Sequence, residues 1–397
     1  MKLTRRIQSI KPSPTLELSA KVGALKAEGK DIIGFAAGEP DFDTPDNIKE
    51  AAVIALRQGK TIYTAVSGIP ELKDAITAKL KRDNGVSYKR EEIIVSCGAK
   101  HSLYNIAMTI LEEGDDVIIP APYWVSYIDI VCLTGATPVI VETTKESGFR
   151  LSPEQFAAAI TPRTRAIFLN YPNNPTGATY TREQLQELAR IAVKNEIMII
   201  SDEVYEKIIY TPEPHVSIAS LGEDVKDFTI TVNSLSKTYS MTGWRIGYAA
   251  ANKKLVSAMT NIQSQSTSNP TSIAQYASVE ALNGPQDTIE SRRLEFEKRK
   301  DYILKRIETI PGVTCDNPDG TFYIFADFSA HYDKKHNGLN IDNSVKMAGF
   351  LLEEGNVALV PGIAFGNDSC LRLTFASSIE TIKEGLDRIN NTLKRLE

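Results

Sequence analysis

Several common classes of protein leave marks that this sequence lacks. Its four cysteines form no CxxC pair and its four histidines form no HExxH motif, so a disulfide framework or a metal centre has little support. No apolar run approaches the roughly 20 residues that span a bilayer, and no apolar segment follows the basic residues near the N-terminus. We therefore expect a cytoplasmic protein that neither enters a membrane nor binds a metal.

An excess of charge of one sign is also missing. The net charge is −5, and Lys and Arg are interleaved with Asp and Glu along the whole chain. Because nucleic-acid-binding proteins usually carry a one-signed basic stripe, nucleic acid is not an expected partner. The motifs GxGxxG and GxxxxGK[ST] are absent as well, which leaves NAD-dependent and P-loop enzymes without local support.

Short apolar segments that alternate with helical patterns are the main feature that is present. The strand-like segments are residues 93–96, 117–119, 138–141, 166–170, 197–201, 228–232 and 245–250. Several are almost entirely apolar, which is typical of strands covered on both faces, and the intervals between them are long enough for crossover helices. The sequence therefore predicts an α/β fold with a largely parallel sheet.

The pattern changes along the chain in a way that predicts three regions. Before residue 250 the predicted helices lie between strands; one of them begins with a capping box of Thr181 and Gln184 and ends at Asn195. After that point, long helical stretches cover 253–282 and 288–310. We predict an irregular N-terminal arm and small-domain segment over residues 1–45. A large α/β domain over 46–285 and a smaller α+β domain over 286–397 would follow.

Lys237 has three interpretations. A lone lysine in a loop is usually solvent-exposed. Residues 234–237 (SLSK) also match the SxxK pattern, with Ser234 as nucleophile and Lys237 as base, although the SDN, KTG and GxSxG elements of acyl-enzymes are absent. In the third interpretation Lys237 forms an imine with an aldehyde, while Ser234 and Arg245 bind a phosphate.

Polar residues at the ends of other predicted strands favour the third interpretation. Asp202 follows the strand at 197–201, and Tyr205 comes one helical step later. Residues 173–177 (NNPTG) follow another strand, and residues 96–100 (SCGAK) open a helical stretch. Since open α/β sheets bind ligands at the carboxyl ends of strands, and helix N-termini bind anions, these segments predict one shared cofactor site.

These motifs carry a resemblance to a known family. The chain resembles the pyridoxal-phosphate (PLP) aminotransferases of fold type I and, within them, the bacterial aspartate aminotransferases of the Ib subgroup, some of which also use prephenate. The matching segments are 11–15 (KPSPT), 38–42 (GEPDF), 122–127 (PYWVSY), 174–177 (NPTG), 201–205 (SDEVY), the Lys237 segment, 360–362 (VPG) and 371–373 (LRL). The resemblance covers essentially the whole chain.

The resemblance implies roles around the PLP ring. Lys237 would hold the aldehyde as an imine and then act as general base and acid. Asp202 would pair with the pyridine nitrogen and keep the ring an electron sink. Tyr205 and Asn174 would hydrogen-bond the phenolic oxygen, and Trp124 would stack on the ring.

The resemblance also implies a phosphate site that two subunits share. Its members would be Ser234, Arg245, the backbone N–H groups of Ala99 and Lys100, and Tyr63 from a second subunit. The chain would then be an obligate homodimer with shared active sites.

The resemblance implies a substrate site as well. Arg372 would clamp the α-carboxylate, aided by Asn174, Trp124 and the backbone of Gly38. The distal carboxylate would meet Lys100, together with Thr15. Lys11 lies in a Lys-Pro-Ser segment that matches members using prephenate, where it would meet the additional carboxylate.

The implied activity is amino transfer between L-aspartate and 2-oxoglutarate, giving oxaloacetate and L-glutamate, with prephenate to arogenate as a further reaction. Alternatives within the fold are an aromatic or broad-specificity aminotransferase and a β-lyase. Outside it stand the serine acyl-enzyme and a PLP-binding regulator or inactive scaffold. The regulator is disfavoured because the catalytic parts are present and no DNA-binding segment precedes them.

Overall fold

A computed structural model describes residues 3–8, 10 and 14–397 of the chain. The α-helices of this part are α1 (Arg5–Gln8), α2 (Pro14–Ala27), α3 (Asp46–Arg57), α4 (Pro70–Asn84), α5 (Ala99–Ile110), α6 (Ser126–Thr134), α7 (Pro153–Ala159), α8 (Arg182–Lys194), α9 (Glu223–Asp227), α10 (Lys253–Ser266), α11 (Ser272–Asn283), α12 (Asp287–Ile307), α13 (Ser344–Gly355) and α14 (Ile379–Leu393). The strands are β1 (Ile33–Gly34), β2 (Ile93–Ser96), β3 (Asp116–Ala121), β4 (Thr137–Glu142), β5 (Thr164–Asn170), β6 (Met198–Asp202), β7 (Thr229–Ser234), β8 (Gly247–Ala250), β9 (Tyr323–Asp327), β10 (Lys334–His336), β11 (Leu339–Ile341), β12 (Val357–Ala358), β13 (Val360–Pro361) and β14 (Cys370–Thr374).

The large sheet has seven strands in the order β2-β8-β7-β6-β5-β3-β4. Of these seven strands, only β8 runs against the others, pairing antiparallel with both β2 and β7. Each of the seven predicted strand segments corresponds to one of these strands, and β2 has the predicted bounds. The α/β fold with a largely parallel sheet is confirmed.

The sheet is buried because helices cover both of its faces. Side chains of β2, β6, β7 and β8 are almost entirely buried, and they divide between apolar clusters on opposite faces of the sheet. Helix α8 shows how the sequence places such a helix. The Thr181 hydroxyl accepts the Gln184 N–H, the Gln184 side chain accepts the Thr181 N–H, and the predicted capping box is confirmed.

A second, smaller group of elements adjoins the large sheet. Strands β13, β14 and β9 form an antiparallel sheet in that order, and β1 pairs in parallel with β12. A separate apolar core under this sheet includes residues of α12, α13 and α14. The predicted boundaries after residues 45 and 285 stay a prediction.

Two expectations were wrong in part. The N-terminal region is not wholly irregular, because Pro14 begins the 14-residue helix α2; proline fits the first helical position, where no intrahelical acceptor awaits its nitrogen. The predicted helical stretch 253–282 is two helices, α10 and α11, with Pro270 between them. Proline lacks the backbone N–H that a continuous helix would need.

In the part of the chain that the structure describes, no helix is both long enough and apolar enough to cross a membrane.

Candidate active site

A cavity of about 330 Å³ lies at the carboxyl ends of β5, β6 and β7 and is bounded on its other side by β9 and β14. This volume is in the range of small-molecule sites. Because Asn170 and Asp202 are register partners, neighbouring strands end together and direct their last side chains into one space. The predicted residues that line it are Gly38, Ala99, Lys100, Trp124, Asn174, Asp202, Tyr205, Ser234, Lys237, Arg245 and Arg372.

Asp202 places a buried carboxylate at the floor of the cavity. Its Oδ2 accepts a hydrogen bond of 2.7 Å from the Tyr127 hydroxyl, and its Oδ1 accepts the Val204 N–H at 3.4 Å. Burial raises the pKa of Asp202 to about 6, although the Tyr127 hydrogen bond opposes the rise. A nearby positive charge would therefore stabilise this carboxylate strongly.

Lys237 is half-buried, and its ammonium donates to the Gly38 carbonyl. Burial, reinforced by the positive charge of Arg372, lowers the pKa of Lys237 to about 8. A substantial fraction is neutral near pH 7.5, as a nucleophilic or basic amine requires. Ser234 Oγ accepts the Ser236 N–H at 3.3 Å, whereas the hydrogen bond of the Lys237 ammonium goes to the Gly38 carbonyl.

Two glycines, Gly98 before α5 and Gly247 in β8, form a cradle in which a larger residue would not fit. Gly98 has φ of 88°, and a Cβ there would collide with the Arg245 guanidinium. A Cβ on Gly247 would collide with the backbone of Gly98 and Ala99. The first turn of α5 has N–H groups without intrahelical acceptors, so the backbone, Arg245 and Ser234 surround a space suited to an anion.

Arg245 adopts an uncommon backbone conformation in this cradle. Its φ is 56°, which L-residues other than glycine rarely adopt. Its guanidinium donates to the Thr242 carbonyl at 2.8 Å and to the Cys97 carbonyl at 3.3 Å. These two bonds hold the positive charge beside the start of α5.

Arg372 is 3% exposed and lies on the opposite side of the cavity. It donates to Asn174 Oδ1 at 3.0 Å and to the Ala36 carbonyl at 2.8 Å, and its guanidinium lies 4.4 Å from the Tyr323 ring centroid. Its Nε is buried without a hydrogen-bond partner. Since buried donors are usually satisfied, this side chain is poised for a carboxylate.

Trp124 and Lys100 line the cavity together. The Lys100 ammonium lies 5.0 Å from the Trp124 ring centroid, and the edge of Trp124 packs against Tyr127 with centroids 5.4 Å apart. The indole thus contacts both a cation and an aromatic ring.

Sequence reasoning missed two tyrosines of the site. Tyr127 appeared only as part of a matching segment, and nothing in its neighbourhood revealed that it would reach Asp202. Tyr323 was not identified at all, although its hydroxyl lies 3.0 Å from that of Tyr205. Finding it would have required the pairing of β9 with β14, and the sequence contains no signal for that pairing.

One predicted residue, Tyr63, is not brought to the cavity by this chain alone. Tyr63 is 88% exposed beside Ile62 and does not line the cavity. Thr15 lies in the first turn of α2, and Lys11 lies outside the described residues.

A buried polar cluster lies behind Asp202. Its possible ligand atoms on Glu203, Glu206 and His215 lie within 4.8 Å of one another. Glu203 already accepts hydrogen bonds from the Ser201 and Ser217 hydroxyls, both at 2.8 Å, and lies 3.0 Å from His215. Glu206 pairs with Lys79, Asn84 and Asn233. These contacts hold the strand ends beside the cavity.

Comparisons with known proteins agree with this geometry. Residues 30–389 match the family described as aminotransferase class I and II. The chain is 48% identical to an aspartate aminotransferase of Bacillus sp. (strain YM-2) over 99% of both chains. It is also 48% identical to a probable aspartate/prephenate aminotransferase of Aquifex aeolicus over 99% of both. The crystal structure of the aspartate aminotransferase from Rhizobium meliloti superposes with a TM-score of 0.96 at 44% identity, covering 100% of both chains. The chain belongs to the class I and II aminotransferase family.

Proposed function

We propose that this chain is a PLP-dependent aspartate aminotransferase, which moves an amino group between L-aspartate and 2-oxoglutarate. The observation that carries the proposal is the cavity in which a lysine of lowered pKa, a buried carboxylate and a buried arginine face one another. Perturbed ionisable groups gathered in one cleft are typical of active sites. The names of the relatives in Bacillus and Aquifex support the substrate pair.

The residues present fit PLP. The Gly98 and Gly247 cradle leaves room for a phosphate beside Arg245, and the buried Asp202 carboxylate calls for a positive partner such as a protonated pyridine nitrogen. Bound PLP would supply an aldehyde that captures amines and a ring that stabilises negative charge on the amino acid's α-carbon.

Residues of the chain would hold PLP both by its phosphate and by its ring. Ser234, Arg245 and the N–H groups of Ala99 and Lys100 would bind the phosphate. Asp202 would hold the proton of the ring nitrogen. Tyr205 and Asn174 would hydrogen-bond the phenolic oxygen, and Trp124 would cover the ring face.

Lys237 would move the proton of the reaction. With its pKa at about 8, Nζ can accept a proton from the substrate α-carbon and then donate it to another atom close by. Its contact with the Gly38 carbonyl places it between the cofactor residues and the substrate residues. Exclusion of water by the buried walls would keep the proton from exchanging with solvent.

The substrate would bind on the Arg372 side. The unpartnered Nε would pair with the α-carboxylate, while Asn174, Trp124 and the Gly38 backbone hold its orientation. Lys100 would meet the distal carboxylate, together with Thr15. For prephenate, which the Aquifex relative's name includes, Lys11 would meet the additional carboxylate.

We further propose a cytoplasmic homodimer. Exposed Ile62 and Tyr63 form an apolar patch suited to a second copy, and Tyr63 would reach the phosphate of that copy. The four cysteines are all free, as is typical of proteins in reducing compartments.

The test compares purified wild type, Lys237→Ala and the control Lys254→Ala, an exposed lysine of α10. With PLP, wild type and the control should form oxaloacetate from L-aspartate and 2-oxoglutarate. Lys237→Ala should lose at least about 10³-fold in turnover because base and nucleophile are removed together. Activity of Lys237→Ala close to wild type would refute the assignment.

A panel of amino donors and oxo-acid acceptors separates the alternatives. Faster turnover of aromatic amino acids than of aspartate would point to an aromatic enzyme, and pyruvate and ammonia released from β-substituted amino acids would point to a β-lyase. Prephenate should be an acceptor, and Lys11→Ala should lower that activity while leaving aspartate turnover unchanged. No prephenate-dependent turnover would refute the role of Lys11.

A further inference from the structure

Tyr323 is a buried residue that contacts both sides of the cavity. Its ring centroid lies 4.4 Å from the Arg372 guanidinium, on the proposed substrate side. Its hydroxyl lies 3.0 Å from the hydroxyl of Tyr205, on the proposed cofactor side. Both tyrosines are almost completely excluded from solvent.

The small sheet fixes these contacts. In the pairing of β9 with β14, Arg372 stands opposite Phe325, so Tyr323 is its diagonal neighbour on the same face. The pairing is antiparallel over five successive residue pairs, which makes the position of Tyr323 relative to Arg372 a property of the sheet. The Tyr323 ring therefore contacts the Arg372 guanidinium by a cation–π interaction.

Proton counting gives the direction of the hydrogen bond. Each tyrosine hydroxyl has one proton to donate, and the bond between Tyr205 and Tyr323 uses one of the two. If Tyr205 donates its proton to the cofactor, as in the proposed function, its oxygen must accept from Tyr323. The reverse direction would turn the Tyr205 proton away from the cavity.

We propose that Tyr323 is a positioning residue of this active site: its hydroxyl donates to Tyr205 and thereby aims the Tyr205 proton at the cofactor, while its ring holds Arg372. The proposal rests on the proposed function. Because a substrate carboxylate neutralises Arg372, the same contact makes the Tyr205 hydrogen bond respond to substrate binding.

The charges around the pair agree with this direction. The charged groups that face it are Arg372, Lys237, Asp202 and Glu39. Burial raises the pKa of both tyrosines, so both keep their protons at working pH. The Arg372 charge opposes the rise in the pKa of both tyrosines, and its direct ring contact is with Tyr323, which favours Tyr323 as the donor.

The first experiment compares Tyr323→Phe with the control Tyr332→Phe in PLP-loaded enzyme without substrate. Tyr332 lies in the same part of the fold, and its hydroxyl donates to the Asp368 carbonyl at 2.6 Å. The readout is the pH midpoint of the visible absorbance. A weaker hydrogen bond from Tyr205 leaves more negative charge on the cofactor oxygen, so the midpoint should rise by about 0.5 pH unit in Tyr323→Phe only.

A double-mutant cycle shows whether the effect passes through Tyr205. In a Tyr205→Phe background, the further change Tyr323→Phe should leave the midpoint unchanged, because the acceptor oxygen is gone. A full shift in that background would overturn the proposal. A fall of the midpoint in Tyr323→Phe alone would also overturn it, since it would mean that Tyr323 accepts the proton.

The ring is tested separately with Tyr323→Leu. Its dissociation constant for succinate, measured by spectral titration, should rise by about 10-fold through loss of the cation–π contact, whereas Tyr323→Phe should retain most of the affinity. Equal affinity of Tyr323→Leu and wild type would refute the role of the ring. Melting temperatures identify a variant that fails to fold, and Tyr323→Met, which also lacks the ring, then replaces Tyr323→Leu in the titration.

Failure of this inference differs from failure of the proposed function. If wild type forms no visible band with PLP, the proposed function is wrong, and the inference with it. If wild type is coloured and transaminates aspartate but Tyr323→Phe has the wild-type midpoint, only the inference is wrong.

Discussion

The Tyr127 hydroxyl donates a 2.7 Å hydrogen bond to the Asp202 carboxylate, and both side chains are buried. Burial raises the pKa of Tyr127 well above its ordinary value, so the phenol remains a proton donor at all working pH values. Tyr127 follows Trp124 by one helical turn, so a single short segment provides both the ring cover and the support for Asp202. This relationship makes Tyr127 part of the candidate active site.

Tyr127→Phe should therefore weaken PLP binding. The ionised Asp202 would lose a hydrogen bond worth about 1.5–3 kcal/mol, which corresponds to a roughly 10- to 100-fold higher dissociation constant for PLP. Titration of the apoprotein with PLP, followed by protein fluorescence, measures this constant. Tyr180→Phe is the control, since the Tyr180 hydroxyl accepts the Leu151 N–H outside the cavity. Equal constants for Tyr127→Phe and wild type would contradict the role.

Asp202→Asn should stabilise the apoprotein at high pH while weakening PLP binding. The pKa of Asp202 is raised to about 6, above the ordinary 3.8, chiefly by burial; Tyr127, Glu203 and Lys237 face the group. The folded state then binds its proton more tightly than the unfolded state. The ionised carboxylate thus costs the apoprotein up to about 3 kcal/mol above pH 6, and the cost disappears as pH falls toward 4.

Urea unfolding of the PLP-free proteins at pH 8 and pH 5 measures this difference. The gain in the free energy of unfolding from Asp202→Asn should be largest at pH 8 and about half as large at pH 5. The same gain at both pH values would show that ionisation of Asp202 does not destabilise the folded chain.

Arg372→Lys should damage substrate binding without unfolding the protein. A lysine keeps the positive charge but loses the fork that contacts Asn174, Ala36 and the substrate carboxylate, so kcat/KM for aspartate should fall by about 10²-fold. Arg388→Lys is a suitable control because Arg388 is partly exposed and pairs with Asp31 and Glu384 outside the cavity. A change below threefold in steady-state kcat/KM for Arg372→Lys would argue against the carboxylate clamp.

The large sheet was predictable from sequence because its strands are short, apolar and flanked by helical patterns. Strand ends follow from strand positions, so the amino-acid sequence alone assigns Asp202, Asn174 and the Gly98 loop to one edge of the sheet. Tyr323 could not be found in this way, because its contact with Arg372 depends on which residue of β9 stands opposite which residue of β14. The helix at Pro14–Ala27 was missed because prolines and glycines in the first forty residues resembled loop signals.

The role of Tyr63 can be tested by mixing inactive subunits. If Tyr63 acts in the neighbour's site, a hybrid of Lys237→Ala and Tyr63→Ala chains has one intact site, built from Lys237 of one chain and Tyr63 of the other. Random reassembly of the two chains should then give about one quarter of wild-type activity. Asp202→Asn mixed with Lys237→Ala is the matched control, because both residues line the same cavity of one chain and no hybrid site is intact. Activity no higher than that of the separate variants in the Tyr63 mixture would show that Tyr63 does not serve a partner's site.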